Sequence, residues 1–190
     1  MTIDQLRHAI PSAVFSDIQV RRLFPDDPAS LVRTQLYRWT AQDKLVRIKR
    51  GLYHFVERPI EELSLGTLLY SPSYISLETA LNIYGILPDV PQQITSVTPT
   101  TTRNFKTKYG VYSYTKIQQK LFFGFSTETS GSTLYQLAHP EKAILDYIYL
   151  RKIRSFAEAR MDLSENMLKS RRFKSYLQQF PGWVVRICKE

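Results

Sequence analysis

The apolar residues of this chain change their spacing near Leu45, and that change limits the possible folds more than any other feature. Val32, Leu36 and Trp39 lie four and three residues apart, which places them on one stripe of a helix. From residue 46 onward, apolar and basic residues alternate, and the Arg50-Gly51 pair indicates a turn before a return strand. Residues 28–55 are therefore predicted to form a helix followed by a β-hairpin.

Two further helices are predicted upstream of this unit. Polar capping residues mark where they begin and a proline marks where the second one ends: Thr2 with Gln5, Ser16 with Gln19, and Pro25. Asp27 is predicted to cap the third helix, with Pro28 at its first position. Three helices followed by a hairpin are the order of a winged helix-turn-helix, so residues 1–58 are predicted to form that DNA-binding domain.

The predicted third helix and hairpin carry a candidate DNA-binding surface. Its residues lie opposite the apolar stripe of the helix or along the hairpin: Ser30, Arg33, Thr34, Tyr37, Arg38, Arg47, Lys49 and Arg50. Arg33 and Arg38 can each donate two hydrogen bonds to a guanine, whereas Ser30 and Thr34 suit phosphate oxygens or a thymine methyl. Lys49 and Arg50 are expected to follow the DNA backbone or the minor groove. The alternative is a protein-docking module whose arginines only keep it soluble.

The distribution of charge supports a polyanionic partner. The 190 residues include 26 Lys and Arg against 17 Asp and Glu, which gives a formal net charge of +9. Residues 1–58 carry +4 and residues 131–190 carry +5, while the middle of the chain is neutral. The second basic end contains a cluster that is either a secondary phosphate contact or a solvated helix face, with the latter favoured: Lys169, Arg171, Arg172 and Lys174.

Residues 59–190 are predicted to form a second, small α/β domain, which makes the whole chain α+β. Pro59 and the Glu61-Glu62 pair mark the boundary, and Ser76 and Gly85 are predicted to delimit a short helix. From residue 92 to about residue 135 the chain contains four β-rich runs separated by Thr-, Gly- and Ser-rich turns: QQITSVTP, YGVYSYTKI, KLFFGFST and STLYQL. They predict a small antiparallel or mixed sheet. Pro140 opens a mostly buried helix that packs on this sheet, and further helices follow, for which Ser164 is a predicted cap and Pro181 a predicted stop.

The sequence predicts neither a catalytic site nor a metal or cofactor site. Cys188 is the single cysteine, which excludes an intramolecular disulfide and a cysteine-based zinc site. The chain has no glycine-rich phosphate loop, and its three histidines are widely separated: His8, His54 and His139. Because no set of nucleophile, base and stabilising group can be assembled from the sequence, we expect that the protein is not an enzyme. No signal peptide and no run of about 18 apolar residues is present, so we expect a cytoplasmic protein that does not enter a membrane.

Three segments in order, KLVRIKRGLYHF, YISLETALNIYGI and AHPEKAILDYIYL, resemble the AbiEi-like antitoxins over about residues 15–150. These are transcriptional regulators of type IV, or abortive phage infection, toxin–antitoxin operons. The resemblance implies a winged helix that binds inverted repeats in its own promoter and represses the operon. It also implies a C-terminal domain that counteracts a nucleotidyltransferase toxin without forming a stable complex with it.

By position, the resemblance matches Arg33, Thr34, Tyr37 and Arg38 to the recognition helix, and Lys49 and Arg50 to the wing. No family motif follows residue 155, which leaves open a regulator that keeps only the repressor role. The other hypothesis is a protein-interaction module that counteracts a toxin or its target through the C-terminal domain, without specific DNA binding.

Overall fold

The structure, a computed structural model, describes residues 1–130, 133–163 and 165–189. The chain is α+β and divides into two compact units, residues 1–61 and residues 62–130 with 134–189. The division falls three residues after the boundary that the sequence predicts. The predicted cap at Ser164 lies outside the described residues.

The N-terminal unit alternates short helices with the strands of a small sheet. Its elements are α1 (Ile3–Ala9), β1 (Val14–Ser16), α2 (Asp17–Leu23), α3 (Ala29–Ala41), β2 (Leu45–Lys49) and β3 (Leu52–Phe55). The three strands are antiparallel in the order β1-β3-β2. Val32, Leu36 and Trp39 of α3 pack into a core with Val20 and Phe55, as the spacing of the apolar residues predicts.

Local capping follows the sequence at two of the three predicted helix starts. Thr2 and Gln5 form a capping box, and the Ser16 hydroxyl accepts a hydrogen bond from the Gln19 N–H. The predicted Asp27 cap is wrong, because α3 begins after Pro28 and has no side-chain cap. The Asp27 carboxylate instead accepts a hydrogen bond from the amino group of Met1 at 2.7 Å. The Asp27 carboxylate therefore binds an amino group that is distant in the chain and does not cap the helix that follows it.

The C-terminal unit is built on a mixed, six-stranded sheet. Its strands are β4 (Tyr74–Ile75), β5 (Ile94–Thr98), β6 (Arg103–Thr107), β7 (Gly110–Lys116), β8 (Phe125–Ser130) and β9 (Thr133–Ala138). They lie in the order β6-β7-β5-β4-β9-β8, and the pairs β5/β7 and β4/β9 are parallel. Of the two sheets that the sequence allows, the mixed one is observed.

Two strand predictions in this sheet differ from the structure. The polar segment 103–107 was expected to be a turn but forms the edge strand β6, where pairing with β7 needs no buried face. The first residues of the run KLFFGFST form a 3₁₀ turn, Gln119–Leu121, and only its end enters β8. Leu121 is buried within this turn, so an apolar residue of the predicted strand reaches the core without forming a strand.

Helices cover the sheet and close the unit. They are α4 (Glu62–Leu69), α5 (Leu77–Ile83), α6 (Pro140–Arg151), α7 (Phe156–Ala159), α8 (Glu165–Lys169), α9 (Arg171–Leu177) and α10 (Gly182–Ile187). Helix α6 is mostly buried and Pro140 lies in its first turn, as predicted. Gly85 adopts a left-handed φ of 68° after α5, also as predicted. Pro181 is not a stop, because α9 has already ended at Leu177 and Pro181 is the N-cap of α10.

Candidate nucleic-acid interface

Helix α3 presents its polar side chains to solvent. The five residues that the sequence assigns to DNA binding on this helix are all exposed: Ser30, Arg33, Thr34, Tyr37 and Arg38. Tyr37 is 76% exposed, and tyrosine is one of the residue types enriched at binding interfaces. The burial of the opposite stripe fixes the rotation of the helix, so the polar face points outward along its whole length.

For Thr34, the structure favours one of the two DNA contacts that the sequence suggests. Its hydroxyl donates a hydrogen bond to the carbonyl of Ser30 at 3.0 Å, one turn earlier in the helix. The proton that a phosphate contact would need is therefore already used within α3. Of the two roles considered from the sequence, contact of its methyl group with a thymine methyl needs no rearrangement.

The hairpin of β2 and β3 places its basic residues unequally. Arg47 and Arg50 are exposed, whereas Lys49 is partly buried and this burial lowers the pKa of its ammonium group. The register shifts between Arg47 and Lys49, so a bulge separates their side chains. The two arginines are thus the stronger candidates for phosphate contacts at this hairpin.

The turn of the hairpin depends on Gly51. Its φ is +78°, a left-handed conformation that side chains rarely adopt. A Cβ atom at this position would lie 3.1 Å from the Asp17 carboxylate, and the Gly51 carbonyl accepts a hydrogen bond from the Asp17 N–H at 3.0 Å. The turn is therefore held against the start of α2, and a side chain at this position would crowd the Asp17 carboxylate.

A groove of about 410 Å³ lies between α3 and the hairpin. It brings together four of the eight residues that the sequence assigns to DNA binding, namely Arg33, Tyr37, Arg47 and Arg50. Ser30, Thr34, Arg38 and Lys49 do not line it. Three arginines against one carboxylate make the groove electropositive, and the field of such a concave surface attracts polyanions.

The groove also contains residues that sequence reasoning missed: Asp17, Thr40 and Tyr53. Thr40 and Tyr53 are partly exposed and belong to the helix and hairpin already identified. Asp17 carried no signal in the sequence beyond its place at the start of a helix. Its position beside the hairpin turn results from the pairing of β1 with β3, which places Ser16 opposite Leu52.

The second basic cluster lies in the C-terminal unit and spans a break between two helices. Lys169 ends α8, Ser170 caps α9, and the remaining members begin α9: Arg171, Arg172 and Lys174. All four are exposed, and an Arg172 guanidinium nitrogen lies 3.8 Å from the Glu141 carboxylate. Exposure is compatible with both roles considered from the sequence, a secondary phosphate contact and a solvated helix face.

A buried polar network in the C-terminal unit was not anticipated. Lys142 and Asp146, one turn apart on α6, form an ion pair with both side chains fully buried. The Asp146 carboxylate also accepts hydrogen bonds from Tyr74 at 2.8 Å and from Ser76 at 2.9 Å. Burial lowers the pKa of Lys142 and raises that of Asp146, while each charge opposes the effect on its partner. The sequence signal was a Lys and an Asp four residues apart on a helix that was predicted to be mostly buried.

No cluster of three metal-ligating side chains occurs in the described ranges 1–130, 133–163 and 165–189. The histidines have separate surroundings: His54 contacts the Arg58 carbonyl at 2.7 Å, and His139 contacts the Tyr176 hydroxyl at 2.8 Å. Within the same described residues, no helix is both long and apolar enough to cross a membrane.

Comparison of the chain with protein-family models and with curated proteins finds no match to either.

Proposed function

We propose that residues 1–61 form a winged helix-turn-helix and that this protein is a sequence-specific DNA-binding repressor of its own promoter. One observation carries the proposal: the groove that joins Arg33 and Tyr37 of α3 to Arg47 and Arg50 of the hairpin. The order α1-β1-α2-α3-β2-β3 and the three-stranded sheet support it, because a winged helix has this arrangement.

The dimensions of α3 suit the major groove of DNA. A helix of 13 residues is about 20 Å long, and the major groove is about 12 Å wide, enough to admit one helix. Arg33 and Arg38 then supply base contacts, and the exposed arginines of the hairpin supply contacts to phosphates. Phosphate contacts raise the affinity for every sequence, whereas the base contacts determine which sequence is preferred.

The C-terminal unit is proposed to act as the antitoxin against a nucleotidyltransferase toxin. This part of the proposal comes from the resemblance to AbiEi-like antitoxins. Two of the segments that carry the resemblance meet in one place, because Ser76 of SLETAL donates its hydroxyl hydrogen bond to Asp146 of HPEKAILD. The shared network supports the view that these segments define one folded core.

Binding to the intergenic DNA upstream of the gene tests the repressor role. Fluorescence anisotropy compares this DNA with a scrambled duplex of equal length at several salt concentrations. Arg33→Ala combined with Arg38→Ala is expected to remove a preference of about tenfold or more, since each two-bond guanine contact contributes roughly 1–3 kcal/mol. Arg50→Ala is expected to weaken binding to both duplexes alike.

Lys44→Ala is the matched control, because Lys44 is exposed and positively charged but does not line the groove. If the Arg33 and Arg38 double variant kept the preference of the wild type, the assignment of α3 as the recognition helix would be wrong. Affinity should fall steeply with salt if about six or more phosphates are neutralised. A flat salt response would place the DNA contacts on another surface.

Co-expression with a nucleotidyltransferase toxin, which the resemblance to AbiEi-like antitoxins implies is encoded beside this gene, tests the antitoxin role. The full chain with Arg33→Ala and Arg38→Ala is expected to rescue growth as well as the wild type, because the proposal assigns this activity to the C-terminal unit. Failure of the wild type to rescue growth would reject the antitoxin role. Rescue by a wild-type protein that shows no DNA preference would instead favour a protein-interaction module.

A further inference from the structure

A pocket of about 1000 Å³ opens on the C-terminal unit, where α6 ends beside the end of β7 and the helix α10. Its volume lies at the upper end of the range of small-molecule sites, roughly 300–1000 Å³. No residue of the candidate DNA-binding surface lines it, and the proposed repressor and antitoxin roles make no use of it. The pocket therefore calls for a separate explanation.

Four cationic residues line this pocket: Lys116, Lys152, Arg154 and Arg186. All four are exposed, and within the described part of the chain none of them takes part in an ion pair. Among the residues that the structure describes, no acidic one lines the pocket. Like charges that line one pocket repel each other, whereas each of them attracts an anionic ligand bound between them.

Arg151 differs from the four cations of the pocket because it has an acidic partner. It lies next to Lys152 in the chain, but its guanidinium forms two hydrogen bonds with Glu78, at 2.6 Å and 2.8 Å. Lys152 adopts a left-handed φ of 55°, a conformation that costs a residue other than glycine of order 1–3 kcal/mol. At the end of α6, one cation is therefore paired with Glu78, whereas the next lines the pocket.

The wall of the pocket is aromatic and apolar. The rings of Tyr149 and Trp183 stack with an interplanar angle of 25° and centroids 6.0 Å apart. The Tyr149 hydroxyl accepts a hydrogen bond from the Gln118 side chain at 3.1 Å, which fixes the ring, and Ile117, Ile153 and Ile187 are buried beside it. Such a wall offers a planar heterocycle a surface on which to stack.

We propose that this pocket binds a nucleoside polyphosphate. The base stacks on the Tyr149–Trp183 pair, and the phosphates lie among Lys116, Lys152, Arg154 and Arg186. A nucleoside polyphosphate carries a planar base and several negative charges on one sugar. It therefore combines the two groups for which the aromatic wall and the cations are suited. The cations line one pocket of small-molecule size, which favours a free nucleotide over a strand of nucleic acid.

Isothermal titration calorimetry of the full-length protein with ATP, GTP, CTP and UTP tests this proposal. At least one of them is expected to bind with a dissociation constant at or below about 0.1 mM. Adenosine and inorganic tripolyphosphate each retain half of the ligand chemistry and are expected to bind at least tenfold more weakly. Lys116→Ala combined with Arg186→Ala is expected to weaken nucleotide binding by tenfold or more, because charged hydrogen bonds are lost.

Trp183→Leu separates the two halves of the site, because it should weaken nucleotide binding and leave tripolyphosphate binding unchanged. Lys106→Ala is the control, since Lys106 is exposed and cationic in the same unit but does not line the pocket. The proposal is overturned if all four nucleotides bind with dissociation constants above about 0.1 mM. It is also overturned if tripolyphosphate binds as tightly as the nucleotides, or if single-stranded DNA binds more tightly through the same residues.

Discussion

Lys142→Met removes the ammonium group from the buried network of the C-terminal unit and leaves the Asp146 carboxylate without its cation. Both side chains are fully buried, and Met has nearly the length of Lys, so the change removes charge more than volume. Asp146 keeps the hydroxyl donors of Tyr74 and Ser76, at 2.8 Å and 2.9 Å. Two neutral donors replace only part of what an ion pair supplies to a carboxylate in an apolar surrounding.

We expect Lys142→Met to lower the free energy of unfolding by about 3–5 kcal/mol, the usual cost of breaking a buried ion pair on one side. For a chain of this size, that loss corresponds to a fall in melting temperature of roughly 6–20 °C. Adding Asp146→Asn removes the uncompensated charge and keeps an acceptor for Tyr74 and Ser76. The double variant is therefore expected to recover at least half of the loss.

Urea denaturation followed by circular dichroism at several pH values measures these effects. Burial already raises the pKa of Asp146, and Lys142→Met removes the charge that opposes this shift. In the variant, the folded state therefore binds a proton at a higher pH than the unfolded state, so its stability rises as the pH falls from 7 towards the ordinary carboxylate range. A loss below about 1 kcal/mol, or a loss that does not change between pH 5 and 8 (roughly the range in which such a carboxylate titrates), would refute the reasoning.

Two further predictions concern single positions. Gly51→Ala is expected to destabilise the protein by about 1–2 kcal/mol through its positive φ, with an added loss because the new Cβ crowds the Asp17 carboxylate. Gly85→Ala is the control in urea denaturation, since Gly85 also has a positive φ but has nothing within 4 Å, and equal losses would exclude crowding. Burial raises the pKa of the Cys188 thiol to about 11, so a thiol reagent at pH 8 should react about 100-fold more slowly with the folded than with the urea-unfolded protein. Equal rates would show that the thiol is not shielded.

Local signals in the sequence predicted the features that depend on local interactions. The Thr2 capping box, the Gly85 helix end and Pro140 in the first turn of α6 all occur where expected. Each depends on backbone groups within about one turn of the residue itself. The α3 helix and the following hairpin were predictable for a similar reason, because the period of burial is set by the geometry of each element.

The predictions that differ from the structure concern residues whose partners are distant in the chain. Asp27 was assigned to a helix cap, but the amino group of Met1, 26 residues away, binds its carboxylate. The three-residue strand β1 was not predicted, because Val14–Ser16 becomes a strand only by pairing with β3. Segment 103–107 lacks an apolar pattern and becomes the strand β6 because β7 lies beside it.

Composition, periodicity and capping residues were sufficient to place α3, the hairpin and the buried helix α6, together with the eight candidate DNA-binding residues. Only the tertiary structure decided which four of those eight share a groove, because Arg33 and Arg50 come from different elements. It also decided that Lys142 and Asp146 are buried together with Tyr74, some 70 residues earlier in the chain. A sequence specifies which side of an element is apolar, whereas the neighbours that a polar group meets depend on how the elements pack.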